Sequence, residues 1–276
     1  MSAPFSIRKR PARIALLASI PHASAFIPQS ARDTFVLDDD ALEQELLKVT
    51  DRYVDELFSC VTGLGGITVT YNCSRLVVDP ERFEDDEKEI MAAKGQGVIY
   101  VRTSDGSKLR EHVPTDKERE ELLDHFYRPY HGVLEDETER LLDSFGTCLI
   151  LDCHSFPSAP LPCELNQDPN RPDICLGTDP FHTPAELVQA VEAFFRERGL
   201  TTARNMPFEG TYVPLKFLGT DSRVSSLMIE VNRKLYMDEA TGGKLESFQD
   251  IGDTTAAFVR LVGQELPFAG DRQHGT

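Results

Sequence analysis

The stretch Cys148-Leu149-Ile150-Leu151-Asp152-Cys153-His154-Ser155-Phe156-Pro157 is an apolar run that ends in polar residues and a proline. A run this short, with helical patterns on either side of it in the chain, predicts a strand buried on both faces of a parallel sheet. His154 then lies at the carboxyl end of the strand, where open α/β sheets place ligands and catalytic groups. Asp152 and His154 can also simply satisfy each other there, so this cluster alone leaves its role open.

Two more segments follow the same pattern. An apolar strand starting at Arg13 ends in Pro21-His22-Ala23-Ser24, and the strand Ser225–Arg233 ends in polar residues that include Glu230. Because the carboxyl ends of parallel strands meet at one edge of a sheet, His22, His154 and Glu230 are expected to lie together. Two histidines delivered to one edge indicate a metal site or an acid–base site.

Length and charge narrow the class of protein. A chain of 276 residues is long enough for one α/β domain with a large core, so a single domain over residues 1–276 is predicted. The 29 basic and 46 acidic residues give a net charge of −17, which argues against nucleic-acid and anionic-membrane partners. The six cysteines form no C-x-x-C pair, which favours reduced thiols and a cytoplasmic protein.

The N-terminal segment has an alternative interpretation as a secretory signal. Arg8-Lys9-Arg10 precedes the apolar run 14–20 and then Ala23-Ser24-Ala25. The run is short for such a signal, and cleavage nearby would remove or unseat His22. We therefore expect this segment to belong to the folded domain, and no stretch approaches transmembrane length.

A helix is predicted from the acidic residues at 38–40 to about Gly63. Asp51 falls within or beside its apolar stripe, where an unpaired buried carboxylate is too costly to tolerate. A salt bridge to an arginine and coordination of a metal ion are both possible explanations. The other predicted elements are strands 66–71 and 173–177, a hairpin that turns through 104–106, helices with capping boxes at 115–118 and 183–186, a division at Pro129, and a helix over about 250–264.

Two imidazoles and one carboxylate, with a fourth position left to water, form the ligand set of a catalytic zinc site. His22, His154 and either Asp51 or Glu230 supply such a set, and the nitrogen ligands disfavour magnesium and calcium. A remaining carboxylate can act as the base. There is no H-E-x-x-H motif, so spacing alone gives only a weak indication.

The chain resembles the N-formylglutamate amidohydrolases. The resemblance covers about residues 12–265 and rests on several long motifs that occur in the order seen in that family. They are Ser-Ile-Pro-His-Ala-Ser (19–24), Asp-Arg-Tyr-Val-Asp (51–55), Asn-Cys-Ser-Arg-Leu-Val-Val-Asp (72–79), Asp-Cys-His-Ser-Phe-Pro (152–157), Asn-Met-Pro-Phe-Glu-Gly-Thr-Tyr (205–212) and Ile-Glu-Val-Asn-Arg-Lys-Leu-Tyr (229–236).

This resemblance implies a zinc carboxypeptidase-like fold, with a mixed, largely parallel sheet between helices. It implies metal-dependent hydrolysis of N-formyl-L-glutamate to glutamate and formate in histidine breakdown. Carried over residue by residue, it makes His22 and His154 metal ligands and Glu230 the general base. Asp51 is the proposed third ligand, because the position three after the first histidine, which is acidic in carboxypeptidases, is Ala25 here.

The substrate pocket is where the sequence departs from the family. Residues 77–83 read Val-Val-Asp-Pro-Glu-Arg-Phe, where Val-Val-Asp-Leu-Asn-Arg is expected. A dianionic substrate needs fixed cations, and planar arginines suit its carboxylates. The candidates for substrate binding are Arg75, Arg82 and Arg233, with Arg223 behind them, and Asn205 and Tyr212 are expected to face the substrate.

Several other features keep more than one interpretation. Each arginine can also be a surface or ion-pair residue. His125 and His131 fit a packing or surface role better than a role at the pocket rim, and Ser24 and Ser155 are expected to orient the histidines. Besides an N-formylglutamate amidohydrolase, the sequence allows a related deacylase or carboxypeptidase with another substrate, or a non-catalytic protein that binds a small molecule.

Overall fold

A seven-stranded sheet lies at the centre of the fold, in a computed structural model that describes residues 3–265. Its order is β1-β3-β2-β4-β7-β5-β6, and β3, β2, β4 and β7 run parallel. Strand β1 is antiparallel to β3, and β5 is antiparallel to β7 but parallel to β6. The prediction of a mixed, largely parallel sheet is confirmed. The strands are β1 Phe5–Lys9, β2 Leu16–Ile20, β3 Ile67–Tyr71, β4 Cys148–Phe156, β5 Ile174–Gly177, β6 Thr202–Arg204 and β7 Val224–Asn232.

Helices cover both faces of this sheet. They are α1 Gln29–Arg32, α2 Asp39–Val49, α3 Val54–Leu57, α4 Cys60–Leu64, α5 Asp116–Leu122, α6 Arg128–Phe145, α7 Ala185–Glu197 and α8 Phe248–Arg260. Short 3₁₀ segments span Ile90–Lys94 and Arg233–Leu235, and π turns span Leu123–Tyr127 and Leu261–Glu265. Within residues 3–265, no helix combines the length and apolar character needed to cross a membrane.

Alternate residues of the central strands pack into two different cores. Leu17 and Ile150 join the core on the side of α6, whereas Leu16 and Leu151 join the core under α7 and α8. Burial on both faces explains why β4 reads as a continuous apolar run. By the same alternation, Asp152 and His154 lie on the α6 side, because side chains two apart share a face.

The helix predicted from residues 38–40 to about Gly63 is wrong as a single element. Its first part is α2, capped by the Asp38 side chain, which accepts a hydrogen bond from the Ala41 N–H at 2.8 Å. The helix then stops at Thr50, whose backbone is extended, and Tyr53 adopts the left-handed conformation with φ 70°. Asp51 therefore lies in a break between helices, where its N–H donates to the His22 carbonyl oxygen at 2.9 Å.

The helical region after residue 115 follows the prediction. Thr115 forms the predicted capping box with Glu118 at the start of α5. The region divides at the π turn Leu123–Tyr127, just before Pro129 in the first turn of α6. A π turn contains a wider backbone loop than an α turn, and such turns are frequent at functional sites.

Smaller differences have local causes. The predicted cap at Thr183 is wrong, because its hydroxyl donates to the Ser226 carbonyl oxygen at 2.7 Å and Pro184 takes the N-cap position. The predicted hairpin consists of isolated bridges, such as the one between Arg102 and Lys108. Strand β4 extends two residues beyond His154, because its backbone keeps pairing with β7 as far as Phe156.

We predict that Gly177→Ala destabilises the fold by about 1–3 kcal/mol, the usual cost of overpacking. A Cβ atom at Gly177 would collide with the Gly210 carbonyl oxygen and the Met228 side chain. Thermal unfolding measures the effect. Gly132→Ala on α6 is the control, since nothing lies within 4 Å of its new Cβ and the change is expected to be neutral or stabilising. Equal unfolding temperatures for the two variants would contradict the prediction.

Candidate active site

The sheet brings three of the predicted site residues to its carboxyl edge. His22 follows β2, His154 lies near the end of β4, and Glu230 lies on β7 directly opposite His154 in the strand register. Strand β4 is the neighbour of both β2 and β7. The break at 50–53 adds Asp51 from the helical layer, held by its hydrogen bond to the His22 carbonyl.

Three ligand atoms converge in this buried cluster. The Nδ1 atoms of His22 and His154 are 3.2 Å apart, and Asp51 Oδ2 lies 3.3 Å from His154 Nδ1 and 3.7 Å from His22 Nδ1. Ligand atoms bound about 2.0–2.1 Å from a tetrahedral zinc ion lie roughly 3.3–3.4 Å from one another. The spacing of these three atoms therefore fits the ligand set of one small cation.

Each histidine is also held from its far side by a carboxylate. His22 Nε2 lies 2.7 Å from Asp79 Oδ1, and His154 Nε2 lies 2.9 Å from Asp152 Oδ1. Because a carboxylate only accepts, both Nε2 atoms carry a proton, and two neutral rings would point two Nδ1 lone pairs at each other. A positive charge between them, either a proton or a metal ion, removes that repulsion. Carboxylates that orient histidines in this way are usual around bound metals.

The charges around the cluster support the same arrangement. Burial alone would raise the pKa of Asp51, but hydrogen bonds with His154 and His22 and the charge of Arg233 hold it well below the usual range. Burial also opposes the charged form of His154, yet the Asp152 carboxylate raises its pKa well above the ordinary value. The cluster thus concentrates negative charge around the two imidazoles.

Arg233 positions Asp51. Its guanidinium donates to Asp51 Oδ1 at 2.8 Å, to Ser155 Oγ at 3.1 Å and to the Lys48 carbonyl oxygen at 2.5 Å. The side chain is only 4% exposed, so these partners leave it little room to reach a substrate. The arrangement favours the ion-pair interpretation of Arg233, and its predicted role in substrate binding stays a prediction. The same salt bridge explains how Asp51 is accommodated.

Glu230 differs from the other acids of the site. Among residues 3–265, its Oε2 atom has no hydrogen-bond partner although it is buried. Burial raises the pKa of Glu230 to about 8, against the opposing charge of His154. A buried carboxylate with a free oxygen and a pKa near neutrality is suited to accept a proton.

Asp79 connects the metal-ligand cluster to the predicted arginines. Besides His22, its carboxylate accepts from Tyr100 Oη at 2.7 Å and from the Arg75 guanidinium at 2.7 Å and 3.1 Å. Burial opposes its ionisation, but Arg75 and His22 hold the pKa of Asp79 well below the usual range. Arg75 therefore donates two hydrogen bonds to one oxygen, Asp79 Oδ2, and substrate binding by Arg75 stays a prediction.

Arg82 is the predicted arginine with the most unused hydrogen-bonding capacity. Its Nε atom is buried without a hydrogen-bond partner in the part of the chain that the structure describes. The nearest carboxylate oxygens are those of Asp79 at 3.8 Å and Glu89 at 4.0 Å. Arg223, in contrast, is more than half exposed and pairs with Asp221. Arg82 is thus the arginine that best fits an anionic ligand.

The remaining predicted residues have partners of their own. The Asn205 carboxamide bonds the backbone and hydroxyl of Thr178, each at 2.9 Å. The Tyr212 hydroxyl lies 3.0 Å from His131 Nδ1, and the Tyr212 backbone N–H donates to Asp152 Oδ2 at 3.0 Å. Contact with a substrate stays a prediction for both residues.

Two features of the site were not predicted from the sequence. One is the position of Glu81, and the other is that Asp79 links His22 to Arg75. Glu81 Oε1 is buried and unpaired within residues 3–265, and Glu81, Asp152 and His154 each offer a ligand atom within 4.8 Å of the others. Burial, with the nearby charge of Asp152, raises the pKa of Glu81 well above the usual range. The available signal was the segment Asp79-Pro80-Glu81-Arg82, an acidic and basic group beside an apolar run.

We predict that Asp51→Asn lowers metal affinity at least 10-fold, the lower bound for disturbing groups around a metal. The amide keeps the shape but loses the charge that faces the two Nδ1 atoms. Metal content after dialysis measures the effect. Glu137→Gln is the control, because Glu137 is a buried acid on α6 that pairs with Lys9 instead. Normal metal content in Asp51→Asn, with only a lower unfolding temperature, would make Asp51 purely structural.

The chain is similar to known proteins over most of its length. Residues 14–237 match the family model of N-formylglutamate amidohydrolase. The chain is 30% identical over 265 residues to the N-formylglutamate deformylase of Pseudomonas putida, with 92% of each chain covered. It is 28% identical to that of Pseudomonas aeruginosa, covering 92% of this chain and 93% of that protein. A crystal structure of N-formylglutamate amidohydrolase from Ralstonia eutropha JMP134 superposes with a TM-score of 0.81 at 25% identity, covering 95% of this chain and 97% of the other.

Proposed function

Because the chain belongs to the N-formylglutamate amidohydrolase family, we propose that it hydrolyses the amide C–N bond of N-formyl-L-glutamate to give L-glutamate and formate. The observation that carries the proposal is the convergence of His22 Nδ1, His154 Nδ1 and Asp51 Oδ2 beside a carboxylate, Glu230, that has a free oxygen. Such a site suits a metal-assisted hydrolase.

The donor set fits a divalent metal ion, and zinc is the ion that we propose. His22, His154 and Asp51 would hold it, while Asp79 and Asp152 fix the orientation of the two rings. A zinc ion in such a site polarises a carbonyl group and lowers the pKa of water.

The chain's own residues supply the proton transfers. Glu230 accepts the proton of the attacking water and delivers it to the leaving nitrogen, so that the amine departs as glutamate. The guanidinium of Arg82 binds a carboxylate of the substrate, since its ion-pair partners Asp79 and Glu89 lie 3.8 Å and 4.0 Å away and leave its Nε atom without a hydrogen bond in the described part of the chain.

A formate-release assay tests the proposal. Protein purified without chelator is analysed for metal and then assayed with N-formyl-L-glutamate before and after treatment with a chelator. Formate release that chelation abolishes and added zinc restores supports the proposal. A panel of other N-acyl amino acids separates it from a related deacylase or carboxypeptidase. Protein that holds no metal and gains no activity from added metal would instead be a binding protein.

The finer parts of the proposal rest on the sequence. We place the enzyme in histidine breakdown, where N-formyl-L-glutamate is formed, and in the cytoplasm, on the resemblance to the family and on the scattered cysteines. We also propose one domain over residues 1–276 with its core at about 12–265; residues 1–2 and 266–276 lie outside the described part of the chain.

A further inference from the structure

One side of the π turn and of helix α6 holds the backbone of residues 80–82. Tyr127 Oη donates to the Arg82 carbonyl oxygen at 2.9 Å, and His131 Nε2 lies 2.9 Å from the Pro80 carbonyl oxygen. The two rings lie against each other, with centroids 4.0 Å apart and planes inclined by 33°. Two neighbouring side chains of one helix thus bind both ends of a three-residue segment.

The hydrogen bonds of His131 assign its protons. A carbonyl oxygen only accepts, so Nε2 carries the proton that faces Pro80, and Nδ1 then accepts from the Tyr212 hydroxyl at 3.0 Å. Burial lowers the pKa of His131 to about 4, which keeps this ring neutral at the pH of the cytoplasm. His131 therefore has one fixed donor, Nε2–H, and one fixed acceptor, Nδ1. We call the hydrogen bond to Pro80 its donor arm and the hydrogen bond from Tyr212 its acceptor arm.

The two arms lead to different parts of the active site. The donor arm fixes the segment that carries Glu81 and Arg82, whose buried Oε1 and Nε atoms have no partner within residues 3–265. The acceptor arm fixes Tyr212, whose N–H donates to Asp152, the carboxylate that orients His154. A histidine in helix α6 thereby joins the arginine-bearing segment to the metal-ligand cluster.

We propose that His131 is a positioning residue, which holds the segment 80–82 so that Arg82 can bind the substrate. This inference rests on the proposed function. His131 touches no predicted metal ligand, and its effect on catalysis passes through Arg82 and Tyr212. Loss of the donor arm loosens Arg82 and weakens substrate binding, whereas the metal ligands keep their own partners.

Substitutions that keep one arm at a time test the proposal. Glutamine places a nitrogen donor near the position of Nε2, asparagine places an oxygen acceptor near that of Nδ1, and leucine removes both arms. We expect His131→Leu and His131→Asn to raise KM for N-formyl-L-glutamate about 3- to 10-fold, the effect of one buried hydrogen bond, with kcat changed less than about twofold. We expect His131→Gln to restore most of the wild-type KM. Metal content stays at the wild-type level in all three.

Hydrogen exchange gives a second test that needs no substrate. The amides of Glu81, Arg82 and Phe83 bond to Asp79 and Glu89 within the loop, so a loosened segment exchanges them faster. We expect faster exchange at these amides in His131→Leu and unchanged exchange in Leu142→Ala. Leu142 is a core residue at the other end of α6, so its substitution destabilises the helix without touching the segment.

The outcomes separate this inference from the proposed function. If wild-type protein releases no formate, the proposed function fails, and the exchange data still test the hold on residues 80–82. Faster exchange limited to those amides, with a KM effect that glutamine rescues, supports the inference. Unchanged KM and exchange in His131→Leu would overturn it, and so would an equal KM increase in Leu142→Ala or a loss of metal from His131→Leu.

Discussion

Replacing either His22 or His154 by alanine is expected to remove both the bound metal and the activity while the protein stays folded. Each ring provides one of the three converging ligand atoms, and a set of two ligands binds a divalent ion far more weakly. The expected loss exceeds the roughly 10- to 100-fold effect of removing a group that only orients a ligand. Elemental analysis, formate release and thermal unfolding measure the three quantities.

His182→Ala is the matched control for this pair. His182 is also a buried histidine, but it bonds the Val224 carbonyl oxygen at 2.7 Å and the Gly219 N–H at 2.8 Å. Its substitution is expected to lower the unfolding temperature and to leave the metal content unchanged. Full metal content in both His22→Ala and His154→Ala would mean that the ion, if any, binds elsewhere.

Glu230→Gln is expected to retain metal and substrate binding while kcat falls by about 10²- to 10⁴-fold, the contribution of a general base. Glutamine keeps the shape of the side chain but cannot accept a proton. A ligand would behave in the opposite way, since its substitution would release the metal. Metal analysis and steady-state kinetics on the same preparation distinguish the two roles.

The pH dependence gives an independent check on Glu230. A base works only when it is deprotonated, so wild-type activity is expected to rise with pH through the pKa of Glu230. Burial raises that pKa to about 8, and a bound cation nearby lowers it, which puts the rise at or below that pH. The Gln variant should lack this acidic limb. A variant that keeps metal and more than about a tenth of wild-type kcat would place the base elsewhere.

The strands and the histidines could be predicted because their signals are local. The apolar runs that end at His22, His154 and Glu230 are buried on both faces, and one sheet edge collects their ends. The break at Asp51 could not be predicted, because the apolar spacing around it is that of a helix. The break depends on a left-handed Tyr53 and on a hydrogen bond to His22, a residue far away in the sequence.

The different partners of the three arginines also could not be predicted from the sequence. Arg75, Arg82 and Arg233 have the same chemistry, and only the fold decides that Asp79 takes the first and Asp51 takes the third. The burial of Glu81 could not be predicted for the same reason, because an acid beside an arginine in the sequence suggests a solvated ion pair. The structure instead buries one oxygen of Glu81 without a partner among residues 3–265.

The π turn between α5 and α6 has a consequence for chain length. Arg119 on α5 bonds Glu84 and Asp86, whereas Tyr127 at the end of the turn and His131 on α6 bond residues 80–82, so side chains before and after the start of the turn hold the same loop. Eight residues of regular α-helix separate positions by about 800°, roughly 80° past two full turns. The wider turn absorbs this excess rotation. With one residue fewer between Arg119 and Tyr127, the separation would be about 700°, within about 20° of two full turns, so a regular α-helix would keep both side chains facing the loop without a π turn.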